Sequence, residues 1–308
     1  MAHTLQKIIC SRFFSEWKGH PVPDLSTFQS RAVELRPNKP IVYLVGDSSL
    51  DNKAWVTSSP PSGVNIPEIY VDLMDHPRPK PDVAFWLNHV LGDRATVVNA
   101  AVEASLLRER DEGLLEHDEF VRDNIRENDI LIVSVGANDV ALQPTKSTML
   151  NMAQLAVLPR ALIDSGYAPA LRHFKHMFGD QTKKYVDRMI SKHKPKAVII
   201  CMIYFPLEEG QSSWADASLK ALGYDRWPGQ LQAAIKQMYK QATQKIQISG
   251  TTVLPCALYE VLDGKNVRDY TSRVEPNTEG GRKMAIKFEE LTKPFLSTQE
   301  ADSTKQEL

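Results

Sequence analysis

The chain has 308 residues, with 37 Lys and Arg against 38 Asp and Glu, a net charge of −1, 42% apolar residues and 24% charged residues. That balance is ordinary for a globular protein of one large α/β domain or two small ones, and it gives no global field to favour nucleic acid or an anionic membrane surface. No apolar run approaches the ~18 residues of a membrane span, and the three cysteines, Cys10, Cys201 and Cys256, are too few and too scattered for a zinc ribbon or a disulfide framework.

In chain order, residues 1–39 read as a covering segment. A short amphipathic stretch (Leu5, Ile8, Ile9, Phe13, Phe14, Trp17) is followed by a Pro-rich approach. It lacks the long apolar core and small-residue cleavage site of a signal peptide. With isolated thiols expected to be buried, the predicted location is the cytoplasm. Residues 40–296 form the predicted domain. Residues 41–45, Ile-Val-Tyr-Leu-Val, are a continuous apolar run of strand length, as in a strand covered on both faces. Gly46-Asp47-Ser48-Ser49-Leu50 follows where the strand should end.

Residues 51–80 are irregular and Pro-rich, the mark of a functional loop. Trp55, Val64, Ile66, Ile69, Tyr70 and Leu73 either wall a pocket beside Ser48 or anchor the loop. Regular alternation then predicts a helix at 83–91, a strand ending near Ala101, a helix over 106–125 and a strand at 129–135. Broken helices at 148–193 precede a strand at 197–205, a helix at 230–246, a short strand at 251–254 and a closing helix at 278–295. Residues 297–308 read as a disordered tail, and Lys305-Gln306-Glu307-Leu308 as part of it rather than as a retention signal. Five apolar strands alternating with helices predict a three-layer α/β/α sandwich around a mainly parallel sheet.

Open parallel sheets bind ligands at the C-terminal ends of their strands. Three strand ends bring polar residues there: Asp47 and Ser48 after the first, Asn99 to Glu103 after the second, Asn138 and Asp139 after the third. A serine nucleophile needs donors aimed at a developing oxyanion. The Asn138 amide and the Ala104 backbone N–H are such donors.

In these blocks the chain resembles the SGNH, or GDSL, hydrolases, a family of serine esterases and lipases with a flavodoxin-like fold. The resemblance rests on Gly46-Asp47-Ser48-Ser49-Leu50, on residues 99–104 with Ala104 where the family has a glycine, and on Gly136-Ala137-Asn138-Asp139. It implies a nucleophile at Ser48, oxyanion donors at Ala104 and Asn138, a small-molecule ester substrate, and no cofactor or metal. The family's last block, Asp-x-x-His followed by Pro-Asn and a glycine, falls on Ser272-Arg273-Val274-Glu275-Pro276-Asn277, with Gly280 beyond. Ser272 and Glu275 stand where the aspartate and the histidine are expected.

A carboxylate near pKa ~4.3 is a feeble base at neutral pH unless burial raises it. Three readings of the site follow. Glu275 is the base; a histidine from elsewhere, His76 foremost, supplies it; or the site is hydrolytically silent and the protein binds a ligand, does other chemistry or is regulatory. A nucleotide nest at 46–49 has no Gly-rich fingerprint behind it. His173 and His176 have ligand-like spacing but no third ligand. The basic run at 192–196 reads as a solvated turn. Glu103 and Arg273 are further polar candidates for the crevice, Asp139 reads as a brace, and Asp269 is misplaced to replace the missing acid.

Overall fold

The computed structural model describes residues 7–210 and 212–296; the tail expected at 297–308 lies outside the described residues. At its centre are five parallel strands: β1 (Ile41–Gly46), β2 (Thr96–Asn99), β3 (Ile130–Ser134), β4 (Ala197–Met202) and β5 (Thr252–Ala257). Their order is β2-β1-β3-β4-β5. Every residue of β1 to β4 is buried on both alternating faces, so helices and loops cover the sheet on each side. This is the predicted three-layer α/β architecture.

The connection from β1 runs outward to β2, and the chain then returns across β1 to β3. The strand order therefore reverses between β1 and β3, where such sheets open a crevice. Register sets the strand ends level: Gly46 pairs with Ser134, and Leu44 with Asn99. Residues 47–49 and 135–138 thus leave the sheet side by side.

Two helices that pack against each other, α1 (Val83–Leu91) and α2 (Thr278–Thr292), hold the loops of the site in place. Asp82 caps α1 by accepting from Phe85 N, and Asn277 caps α2 by accepting from Glu279 N and Gly280 N. Asn52 joins the two: its amide donates to Pro276 O and its carbonyl accepts from Val83 N.

The N-terminal segment differs from its expected form. Ile8–Ile9 is a strand paired in parallel with Met74–Asp75, and it leads into a single helical turn at Cys10–Phe13. A long helix at Val22–Leu35 follows, where the sequence suggested only a Pro-rich approach. Pro21 and Pro23 sit at its start, where a missing N–H costs nothing. The predicted helix over 106–125 is broken into a short turn at Arg108–Arg110 and a helix at Glu116–Asn124. The helix expected to reach 246 ends at Gln241. Among the described residues no helix is long and apolar enough to cross a membrane.

Candidate active site

Gly46 closes β1 at φ +130°, and a β-carbon there would lie 1.8 Å from the Ser134 carbonyl oxygen. Only glycine fits this close approach. The backbone then turns at once, with Leu50 N and Asp51 N both donating to Asp47 O. Asp47 Oδ1 accepts from Ser49 N at 3.1 Å and from Ser49 Oγ at 2.6 Å. Its other oxygen, Oδ2, is buried and has no partner among the described residues. Burial in this apolar setting pushes the Asp47 carboxyl up to about 6.

Ser48 is the free member of the turn. Its side chain makes no hydrogen bond among the described residues, and it lines a narrow cavity of about 70 Å³ together with Asp47, Asn138, Tyr204, Trp214 and Glu275. Asn138 donates one amide N–H to Ser105 O at 3.0 Å. An amide has two such donors, so one stays available to a ligand. Asp139 accepts from Leu107 N and Arg108 N, which makes it the loop brace the sequence suggested.

Ala104 adopts a left-handed backbone at φ +58°. That conformation favours glycine, the residue expected at this position from the resemblance, and an alanine holds it at a cost of roughly 1–2 kcal/mol. Val102 N donates to Gly46 O, which fixes the loop beside the Ser48 turn, and the Ala104 N–H has no acceptor among the described residues.

Glu275 enters the same cavity from a two-residue strand that pairs with Tyr270–Ser272. Its Oε1 accepts from Trp214 Nε1 at 2.9 Å, while Oε2 is buried and unpartnered. Burial, then the nearby Glu103 and Asp47 carboxyls, hold Glu275 well above the usual carboxylate range. Glu103, which accepts from Trp55 Nε1, is itself pushed up to about 8, first by burial and then by Asp51. No hydrogen bond links Glu275 to Ser48, and Ser272 meets Ser213 rather than the Glu275 carboxyl.

The remaining candidates lie elsewhere. His76 is 92% exposed, beside Asp75, and does not fold over Ser48. His20 is stacked on Phe13 inside the N-terminal segment, and His173 binds Thr148. Among the described residues no histidine lines the cavity and no cluster could hold a metal. Arg273 points away from the crevice: it is ion-paired with Asp225 and Asp216 and lies over Tyr224. Asp269 is held by Lys283 and Asn266. The irregular loop anchors the fold rather than walling the cavity.

Trp214 and Tyr204, which do line it, were missed. Both follow β4, and the rule that gathers strand ends at one edge applies to that strand as well.

No family model matches the chain, and no curated protein sequence matches it significantly. Solved structures do. The chain is similar to an extracellular lipase from Streptomyces rimosus, at 12% identity and a TM-score of 0.48, over 82% of this chain and 99% of that one. It is similar to the lipase/acylhydrolase from Enterococcus faecalis, at 13% and 0.46, over 85% and 100%. It is also similar to Est24, a carbohydrate acetylesterase from Sinorhizobium meliloti, at 11% and 0.44, over 83% and 99%. At such identity the likeness is one of fold, and it assigns neither a residue nor an activity.

Proposed function

We propose that the chain is a serine hydrolase of the SGNH/GDSL type acting on carboxylic esters of small molecules. Ser48 is the nucleophile, the Asn138 amide and the Ala104 N–H are the oxyanion donors, and Glu275 takes the place of imidazole. The observation that carries this reading is one cavity lined by Ser48, Asn138 and Glu275, with a free hydroxyl and a carboxyl oxygen that has no partner.

In the reaction, Ser48 Oγ attacks the acyl carbon as its proton passes to ionised Glu275. The carbonyl oxygen becomes an oxyanion against the two N–H donors. Collapse expels the alcohol oxygen, which takes the proton from Glu275. Water then attacks the acyl-serine by the same exchange, giving a carboxylic acid and restoring Ser48. Because burial raises the Glu275 carboxyl well above the usual carboxylate range, its ionised fraction at any given pH is smaller than that of an ordinary glutamate and grows as pH rises. The proposed enzyme therefore gains rate as pH rises.

A fluorophosphonate probe tests this. Wild type should be labelled, faster at pH 9 than at pH 7, and Ser48→Ala should not be labelled at all. An unlabelled wild type across that range removes the nucleophile from the reading.

A second reading is favoured by one observation: no base is hydrogen-bonded to Ser48 among the described residues. Here the protein binds an acyl ligand without turning it over. This reading expects Ser48→Ala to keep full ligand affinity and the wild type to resist the probe.

A further inference from the structure

The cavity beside Ser48 constrains what it can accept, and this inference rests on Ser48 and its neighbours being the ligand site. Beside the rings of Tyr204 and Trp214, its apolar lining includes the aliphatic Val140, Ile203, Leu219, Leu222, Leu231 and Ile235. Its volume is about 70 Å³. An engineered apolar cavity of about 150 Å³ in another protein takes benzene, which has six heavy atoms. By proportion, this cavity has room for about three.

The polar end is equally restrictive. Asp47 and Glu275 line it, and Glu103 lies close enough to act on both; Asp47, Glu103 and Glu275 are 1%, 3% and 0% exposed. Their hydrogen-bond partners are Ser49, Trp55 and Trp214, and no Lys, Arg or His among the described residues bonds to any of them. The basic groups that act on these carboxyls through space, Arg110 on Asp47 and Lys53 on Glu103, are ion-paired elsewhere, Arg110 with Asp118 and Lys53 with Asp51. A second negative charge brought here finds no counter-ion and pays for desolvation as well.

Trp214 donates to Glu275 Oε1, so a proton on this carboxyl sits on Oε2. That O–H has no acceptor among the described residues. A carbonyl or ester oxygen would supply one, whereas an ionised carboxylate would bring the unmatched charge.

We infer that the site selects neutral acyl groups of two to four carbons, admitting the ester and rejecting both longer chains and the carboxylate product. Of the aliphatic lining, Leu219 and Leu222 are the side chains whose bulk the test removes.

The test uses the full chain as wild type, Ser48→Ala and Leu222→Ala, with Leu219→Ala as the alternative should Leu222→Ala not fold. Hydrolysis is followed with p-nitrophenyl esters from acetate to decanoate. Binding of butyramide, octanamide and butyrate to Ser48→Ala is followed by ligand-observed NMR at pH 8, where no chemistry intervenes. The expected kcat/KM is greatest between two and four carbons and at least tenfold lower for octanoate. The leucine variant should move the maximum at least two carbons longer. Butyramide should bind at least tenfold more tightly than butyrate or octanamide.

A kcat/KM that climbs to octanoate overturns the inference. So does octanamide or butyrate binding as tightly as butyramide, or binding by none of the three. If butyramide binds in the expected order and no ester is hydrolysed, the selection by size and charge stands and serine hydrolysis falls.

Discussion

The turn after β1 and the segment before α2 meet at one cavity, yet different constraints hold them. At the turn, the constraint is backbone shape. Gly46 cannot carry a β-carbon because the Ser134 carbonyl occupies that space, and Ala104 opposite is bent into a left-handed conformation. Before α2, the frame is just as tight. Asn277 caps the helix, and a β-carbon on Gly280 would lie 2.2 Å from Asp269 O. Within that frame, the Glu275 carboxyl has Trp214 as its one hydrogen-bond partner among the described residues. The comparison teaches that the shape of a site and its proton chemistry are separable. Sterics dictate the first, while the second depends on one side chain that the frame does not choose.

The largest expected effect breaks the shape. Gly46→Ala should cost about 4 kcal/mol or more, because backbone rather than a flexible side chain blocks the new methyl group. Thermal melts or failure to obtain folded protein would show it, and a variant as stable as wild type would refute the steric account.

The next effect is on chemistry alone. Glu275→His combined with Ser272→Asp should raise ester hydrolysis at pH 7 at least tenfold. Imidazole is half ionised near neutrality, and residue 272 pairs across the strand with 275, so a carboxylate there can orient the ring. An unchanged rate would mean that position 275 does not reach the Ser48 hydroxyl.

Stability should also respond to pH, in the sense opposite to that of a salt-bridged acid. Burial raises Asp82 to about 7 and Glu103 to about 8, and it holds Glu275 well above its ordinary range. The folded state therefore keeps protons that the unfolded state releases above about pH 4.5. The stability these groups contribute is complete below that pH and is lost as pH climbs through their folded values. His20, buried and shifted downward, acts in the other direction only below about pH 6.5. Between pH 6.5 and 8.5 the melting temperature should thus fall by ~5 °C; a rise across this window would contradict the assignment of neutral buried carboxyls.

The smallest effect refines the shape. Ala104→Gly should gain about 1 kcal/mol by relieving the left-handed alanine. A loss of stability in denaturant titration would place the strain elsewhere.

Much of the fold was legible because β1 to β4 are unbroken apolar runs and α1 carries its apolar stripe to the last residue. The helix Val22–Leu35 was not legible, because the prolines that start it read as breakers. Ser48 and Asn138 could be brought to one place on the rule that parallel strand ends share an edge, and Glu275 only through the resemblance of the last block; the three line one cavity. Burial as the condition for raising Glu275 was legible, but its charged and polar neighbours were not. After burial, the shift depends on Glu103 from after β2, Trp214 from after β4 and Asp47 from after β1, a convergence that no local pattern encodes.

The most direct measurement is the rate of p-nitrophenyl butyrate hydrolysis from pH 6 to 10, in wild type and in Ser48→Ala. The account predicts a wild-type rate that rises with pH beyond the ordinary carboxylate range, up to tenfold per pH unit until Glu275 is ionised, with no turnover in the variant. A rate already flat at pH 6, a rate that survives in Ser48→Ala, or no turnover at any pH would contradict it.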